Sequence, residues 1–426
     1  MKHLRFYLFL PALCILFAGS CSKKGTTGPI TPVDTIPVST IKYIDTLSGN
    51  SPFVHPGGLH ITEDFTRIKA NVNAGTEPWI SGWNKLIVNS HAQLTYLPHP
   101  TVKIVRGGNT IEEPDPDNYS YAYNDVAAAY QTAIRWKVTG NAAYADKSIQ
   151  ILNAWAATCV KVSGDPNVAL AFGIYGYQFA VAGELMRDYS GWMPADFLAY
   201  QQWMLNVFYA PNHTFLVSHE NSCVDLFWSN WDLCNLASVM AIGILADQRK
   251  IYNEAVNYLQ HGAGNGNIVK AINYVFTGSD AGLAQLQESG RDQGHATLVI
   301  ALMGTIFELA WHQGDDFYGF DNNRFLKACE YTAKYNVASL PVPFQSYTYF
   351  DCHTTTTLTQ ISSDSRGTVR PMWALVYNHY AKRKGLAAPY SKMGVQTTLP
   401  EGGGGDYGPN SGGFDTLGFG TLLYSL

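Results

Sequence analysis

Apolar residues along this chain recur at three- and four-residue spacing far more often than they alternate. Between 123 and 137, Val126, Tyr130, Ala133, Ile134 and Lys137 follow the spacing of an amphipathic helix, and between 143 and 158 the residues Ile149, Leu152 and Trp155 repeat it. Comparable stretches lie at 61–73, 78–90, 170–188, 195–208, 232–246, 249–260, 293–313, 323–338 and 370–383. Gly, Pro and Asn punctuate the gaps, so the chain reads as roughly a dozen helices in successive hairpins. Several are apolar on more than one face, as an inner ring packed behind an outer ring requires. No short repeat is visible, which argues against a solenoid. The pattern predicts an all-α fold: an (α/α) barrel or incomplete toroid of paired antiparallel helices whose inner ring lines a cleft, with short β elements at the C-terminus. There the Gly run after Glu401 and the stretch Leu417-Gly418-Phe419-Gly420-Thr421-Leu422 predict a loop and a short terminal strand.

The first twenty residues follow a different pattern. Lys2 and Arg5 precede an apolar run from Phe6 to Phe17, and Ala18-Gly19-Ser20 stands directly before Cys21. This is the layout of a secretory signal, too short for a normally flanked membrane span. Small residues before a cysteine resemble a bacterial lipobox, which would make Cys21 the lipidated first residue. Residues 21–52, rich in Thr, Pro, Ser and Gly, then read as a lipidated N-terminus and flexible tether, and a single domain is expected over 53–426. The expected location is across the inner membrane of a Gram-negative bacterium, lipid-anchored at the outer membrane or in the periplasm. No second apolar span is evident, so the body is expected to be a soluble monomer that meets the membrane only through Cys21.

Charge narrows the partners. Cleavage before Cys21 removes Lys2 and Arg5 and no acid, leaving 26 basic against 33 acidic residues. A net acidic chain has no general field for nucleic acid or anionic lipid, so a site for a polyanion must be built from a few local donors. Beyond Cys14 and Cys21 the cysteines are Cys159, Cys223, Cys234, Cys329 and Cys352, an odd set without C-x-x-C spacing. This suits neither a disulfide framework nor a zinc site; at most a pair or two would bridge, and buried thiols are expected. No G-x-S-x-G, zinc-ligand or phosphate-loop pattern is present, so neither metal nor cofactor is expected.

The most polar stretch at the mouth of an apolar helix is Gln287-Glu288-Ser289-Gly290-Arg291-Asp292-Gln293-Gly294-His295. A helix throughout would align Gln287, Arg291 and His295, setting a guanidinium one turn from an imidazole: a carboxylate clamp beside a proton acceptor. Asp292 and Glu288 balancing Arg291 at a helix start is the purely structural alternative. Phe227-Trp228-Ser229-Asn230-Trp231-Asp232 opens another helix, which Ser229, Asn230 or Asp232 would cap. An amide there suits a carboxylate, and Trp228 and Trp231 offer faces for sugar rings or, equally, core packing. His213, His219 and Asn221 lie in a polar loop, and Tyr175 and Tyr177 in Gly173-Ile174-Tyr175-Gly176-Tyr177-Gln178.

Taken together, Asn230 with Trp231-Asp232-Leu233-Cys234-Asn235, and the stretch from Gln287 to His295, resemble the alginate-lyase-like polysaccharide lyases of the (α/α) toroid class. His55-Pro56-Gly57-Gly58-Leu59, Pro78-Trp79-Ile80-Ser81-Gly82-Trp83-Asn84, Tyr175-Gly176-Tyr177-Gln178 and Arg370-Pro371-Met372-Trp373 extend the likeness from about residue 53 to the end. Within that class the chain is most similar to polysaccharide lyase family thirty-eight, which implies cleavage of alginate or glucuronan. The resemblance implies a metal-independent β-elimination on an anionic polysaccharide, which needs a neutralised C6 carboxylate, a base for the C5 proton and an acid for O4. On this reading Asn230 and Arg291 neutralise the carboxylate, and His295 shares the clamp or acts as base. In the class a tyrosine seven positions after the arginine often serves as base and acid; here that position is Leu298, so the phenol comes from Tyr175 or Tyr177, or a histidine takes over, with His219 in reserve. Trp83, Tyr177, Trp228, Trp231, Gln287, Glu288 and Arg370 are the expected substrate contacts.

Two alternatives share most of these features. An (α/α) barrel also carries glycoside hydrolases, for which Asp232, Glu288 and Asp292 would supply carboxylates. A non-catalytic surface glycan-binding lipoprotein would share the anchor, tether and aromatics without needing Arg291 beside His295.

Overall fold

The computed structural model describes residues 41–368, 370–400 and 415–426; the expected signal, Cys21 and most of the tether lie outside the described residues. Helices α1 (Thr62–Asn73) and α2 (Trp79–Val88) open the fold, followed by β1 (Lys103–Val105), α3 (Tyr119–Thr139), α4 (Ala142–Thr158), β2 (Lys161–Ser163), α5 (Val168–Met186), α6 (Pro194–Met204) and α7 (Ala210–Ser218). Then come α8 (Ser229–Leu245), α9 (Arg249–His261), the single turn α10 (Ile268–Ala271), β3 (Tyr274–Val275), β4 (Ala284–Gln285), α11 (Gln293–His312) and α12 (Phe320–Asn336). The hairpin β5 (Tyr347–Phe350) and β6 (Thr355–Leu358) precedes α13 (Trp373–Tyr377), α14 (Pro389–Thr398) and α15 (Gly420–Tyr424). Each stretch with three-to-four spacing falls on a helix, although 370–383 is reduced to α13 and a π-helical turn, Asn378–Arg383.

The helices sort into two layers by how much of their surface is apolar. Helices α5 and α8 bury 17 of 19 and 16 of 17 residues, whereas α9 buries one stripe of 7 of its 13. A helix apolar all round must be enclosed, and an amphipathic one belongs on the outside. Accordingly α3, α5, α8 and α11 pack in succession as the inner layer, with α4 outside α3, α9 outside α8 and α12 outside α11. This is the expected (α/α) toroid. Helices α5 and α11 are also long and apolar enough to cross a bilayer, contrary to the expectation that no second such run exists, but both are buried inside the protein.

Close approach of α5 to α8 explains part of the Gly173–Gln178 motif. A Cβ at Gly173 would lie 3.0 Å from the backbone nitrogen of Asn235 and 2.5 Å from the Cys234 sulfur. Glycine is therefore required there by packing.

Among the described residues, six strands form three two-stranded pairs: β1 parallel to β2, β3 antiparallel to β4, and β5 antiparallel to β6. The apolar run expected as a terminal strand instead closes as α15, with Leu422 and Leu423 both fully buried. A short apolar run without strict alternation does not distinguish strand from buried helix. Residues 41–52, expected within the tether, lie along α9. There the Gln260 amide bonds both backbone groups of Ile44, Asn253 donates to Leu47 O at 2.7 Å, and Arg249 donates to Pro52 O at 2.6 Å. Such side-chain-to-backbone attachment leaves no apolar period to read. One pair of cysteines, Cys223 and Cys352, is bridged, tying the loop before α8 to the β5–β6 turn, and Cys159, Cys234 and Cys329 are buried thiols.

Candidate active site

The first turns of α8 and α11 open onto one cavity of about 570 Å³, lined among others by Arg106, Ile174, Asn230, Arg291, His295 and Arg370. Asn230 stands in the first turn of α8, whose N-terminal backbone N–H groups are not capped by Ser229, Asn230 or Asp232, as the sequence led us to expect. They are capped from elsewhere: Ser229 N–H donates to Gln287 Oε1 at 3.0 Å and Asn230 N–H to Glu288 Oε1 at 2.8 Å. An anionic side chain at a helix N-terminus is favoured by the aligned peptide dipoles. The same Glu288 accepts from Arg291 Nη1 at 3.1 Å. One buried carboxylate thus sets Asn230 and Arg291 in register from two separate segments.

The Gln287–His295 stretch is not one helix. Residues Gln287–Gly290 form a 3-10 turn, Asp292 is extended, and α11 begins at Gln293. Gln287 consequently points away from Arg291 and His295 and, besides its bond to Ser229, donates to Tyr347 Oη at 3.0 Å. Both Gln287 and Glu288, expected as substrate contacts, are fully buried framework residues. Arg291 and His295 still meet, because Asp292 caps α11 by accepting from His295 N–H at 2.8 Å and from the His295 ring Nδ1 at 2.6 Å. Nδ1 therefore carries the ring proton, and Nε2 presents a lone pair 3.4 Å from Arg291 Nη2. Burial alone would raise the Asp292 carboxyl, but the hydrogen bonds from the His295 ring and backbone and the charge of Arg291 hold it below the usual carboxylate range. It stays ionised behind the imidazole, ready to stabilise that ring once protonated.

Asn230 is 1% exposed, and its Oδ1 has no hydrogen-bond partner. An unsatisfied buried amide oxygen calls for a donor such as a sugar hydroxyl, whereas the Nδ2 group is the part of this amide that can donate to a carboxylate. Trp228 is held between Tyr349, stacked at 4.5 Å and 13°, and the Arg291 guanidinium 5.2 Å from its ring centre. It forms a wall supporting Arg291. Arg370 lines the cavity but is buried and spent on structure, pairing with Asp415 and donating to Thr297 Oγ1 at 3.3 Å and Gly294 O at 3.2 Å.

The remaining candidates lie elsewhere. Tyr175 is enclosed and stacked on Tyr119, outside the residues that line the cavity, and burial raises its phenol above the usual range. Tyr177 is buried and donates to the backbone carbonyl of Asp415. His219 is locked to Asp232 Oδ1 at 3.0 Å within a cluster in which Tyr258 and Gly266 N–H satisfy the other carboxylate oxygen. Trp231 packs on Phe227 and Phe215, and Trp83 sits half-buried against the core from α2. The three carboxylates of the hydrolase alternative are all engaged: Asp232 with His219, Glu288 with α8 and Arg291, Asp292 with His295. Sequence reasoning missed Arg106, which follows β1 and precedes Gly107, a residue with φ of +81°. A lone cation before paired glycines at a strand end was the available signal.

The alginate lyase family model matches residues 98–344, while no curated protein matches the chain. Among solved structures, alginate lyase A1-III from Sphingomonas species A1 superposes with a TM-score of 0.56 at 14% identity, covering 88% of this chain and 98% of that one. An alginate lyase from Bacteroides ovatus gives 0.54 at 11% identity, covering 86% and 98%. A single-residue variant of alginate lyase A1-III complexed with a tetrasaccharide gives 0.54 at 14%, covering 89% and 98%. At these identities the likeness speaks for the fold, and the family model speaks for the lineage. Since that model takes in more than half of the sequence, including the segments that carry Asn230, Arg291 and His295, the chain belongs to the alginate lyase family and is a polysaccharide lyase.

Proposed function

We propose that this enzyme cleaves alginate at mannuronate units by β-elimination, with Asn230 and Arg291 neutralising the C6 carboxylate and His295 Nε2 removing the C5 proton. The carrying observation is that an amide able to donate through its Nδ2, a guanidinium, and an imidazole whose Nε2 lone pair faces that guanidinium at 3.4 Å line one cavity. A proton α to an ionised carboxylate is poorly acidic. Donors already aimed at the carboxylate oxygens lower the barrier because charge gathers there as the proton leaves. Asp292 fixes the tautomer and offsets the positive charge that His295 acquires.

No tyrosine lines this cavity among the described residues, and His295 is its one imidazole. A single proton carrier suits elimination in which the C5 proton and O4 lie on the same ring face, since the imidazolium then returns its proton to the departing oxygen. Mannuronate and glucuronate have that relation and guluronate does not. This supports polymannuronate over polyguluronate and keeps glucuronan, and with it membership of polysaccharide lyase family thirty-eight, as the nearest competitor. The apolar run with Ala18-Gly19-Ser20 before Cys21 supports anchoring through a lipid at Cys21. Incubating the purified protein separately with polymannuronate, polyguluronate and glucuronan, and following the ultraviolet absorbance of the unsaturated uronate, tests the reading. Turnover of polymannuronate well above polyguluronate is expected; reducing ends without that absorbance, or preference for polyguluronate, would overturn it.

A further inference from the structure

We propose that Arg106 binds the carboxylate of a uronate adjacent to the one being cleaved, so that the enzyme requires at least two consecutive uronates. The inference rests on the lyase reading above and adds the substrate class that the same cleft selects.

Three guanidinium groups line the cavity, and two of them already pair with a carboxylate of the protein. Arg291 is paired with Glu288 and Arg370 with Asp415. Arg106 has no carboxylate within ion-pair reach among the described residues, and its Nη1 is buried without a hydrogen-bond partner. Asp165, whose N–H donates to Gly107 O at 2.9 Å, turns its Oδ1 to Asn167 N–H at 2.8 Å. Asp415 lies within electrostatic range but is taken by Arg370. A guanidinium N–H withdrawn from water without an acceptor is unfavourable, and a planar carboxylate is the group its fork fits best.

The placement of Arg106 is built in. Its backbone N–H donates to Ser163 O at 3.0 Å, continuing the β1–β2 pairing, and its guanidinium lies over the Tyr119 ring at 5.1 Å. Tyr119 belongs to α3, which packs against α5, as does α8. Leu170 and Ile174 of α5 line the cavity. Arg106 therefore reaches the cavity from the end of β1, whereas Asn230 reaches it from the first turn of α8. The volume is in the range that holds a ligand larger than one ring. A second carboxylate is the substrate feature that would satisfy Arg106 there.

The test compares mannuronate oligomers with oligomers of the same length holding one mannuronate flanked by mannose, using the full chain and its Arg106→Ala and Arg106→Lys variants. The wild type is expected to favour the all-mannuronate oligomer by about ten- to a hundredfold in kcat/KM. Arg106→Ala should raise KM for that oligomer by a similar factor, leave kcat within about threefold, and no longer distinguish the two. Arg106→Lys should recover part of the preference, which a merely structural loss would not allow. Equal preference in wild type and Arg106→Ala, with turnover intact, overturns this inference alone. Absence of turnover on every uronate oligomer overturns the lyase mechanism with it.

Discussion

Asn230 and Asp232 stand two positions apart in the first turn of α8, yet they belong to opposite kinds of polar cluster. Asp232 is closed on itself: His219, Tyr258 and Gly266 N–H fill its oxygens, all away from the cavity. Asn230 is buried to the same degree, but its amide oxygen is unpaired, and it shares the cavity with Arg291 and His295. Two residues of helix turn the side chain by about 200°, which is enough to move a polar group from a structural knot to an open site. Burial and polarity alone do not separate the two roles. Unfilled hydrogen-bonding capacity facing a cavity does.

The sharpest way to break this contrast is at the open cluster. His295→Ala should lower kcat on polymannuronate by about 10²–10⁴-fold, with the circular dichroism spectrum unchanged; near-normal turnover would place the base elsewhere. Arg291→Ala or Asn230→Ala should cost about 10²–10³-fold in kcat, measured under saturating substrate.

Glu288 joins framework and site, so Glu288→Gln should affect both. Loss of charge weakens the hold on Arg291 and the capping of α8, with activity falling about tenfold and stability by roughly 1–2 kcal/mol in urea unfolding. An unchanged kcat would mean that Arg291 is oriented without it.

At the closed cluster the expectation reverses. Asp232→Asn should destabilise the protein by about 1–3 kcal/mol while kcat of the folded fraction stays within about twofold. A selective loss of kcat with full stability would move the Asp232–His219 pair into the chemistry.

The smallest effect concerns a third cluster, remote from the cavity. His55 contacts Glu184 Oε1 at 2.6 Å and Asp247 Oδ1 at 2.7 Å. Burial would lower this imidazole, but the hydrogen bonds to Asp247 and Glu184 and the Glu184 charge raise it to about 9. Because the folded value exceeds the unfolded one, the stabilisation is fully present below pH about 6.5 and is lost as pH rises through about 9. Discounted for the exposure of Asp247, it is on the order of 1 kcal/mol. The Tm should fall between pH 7 and pH 10 more in the wild type than in His55→Gln, and equal slopes would remove His55 as the cause.

Helix periodicity was legible because it depends only on which residues must be hidden from water, a property each residue carries with it. The same holds for the two layers, since several helices read as apolar on more than one face before any partner was known. The residues Asn230, Arg291 and His295 were also legible, through unusual polarity at helix mouths and a family likeness. What sequence could not supply was direction. A break at Arg291 and Asp292 turned Gln287 and Glu288 from expected contacts into the caps of α8, and the twist of α8 set Asp232 apart from Asn230. Arg106 escaped notice because its importance lies in the absence of a partner, and absence of a partner is a property of the surroundings. Local pattern and hydrophobicity thus determined the elements and their layers; which polar groups are satisfied, and which are left open to a substrate, was decided only when distant segments were brought together, because a hydrogen bond depends on distance and angle between groups far apart in the chain.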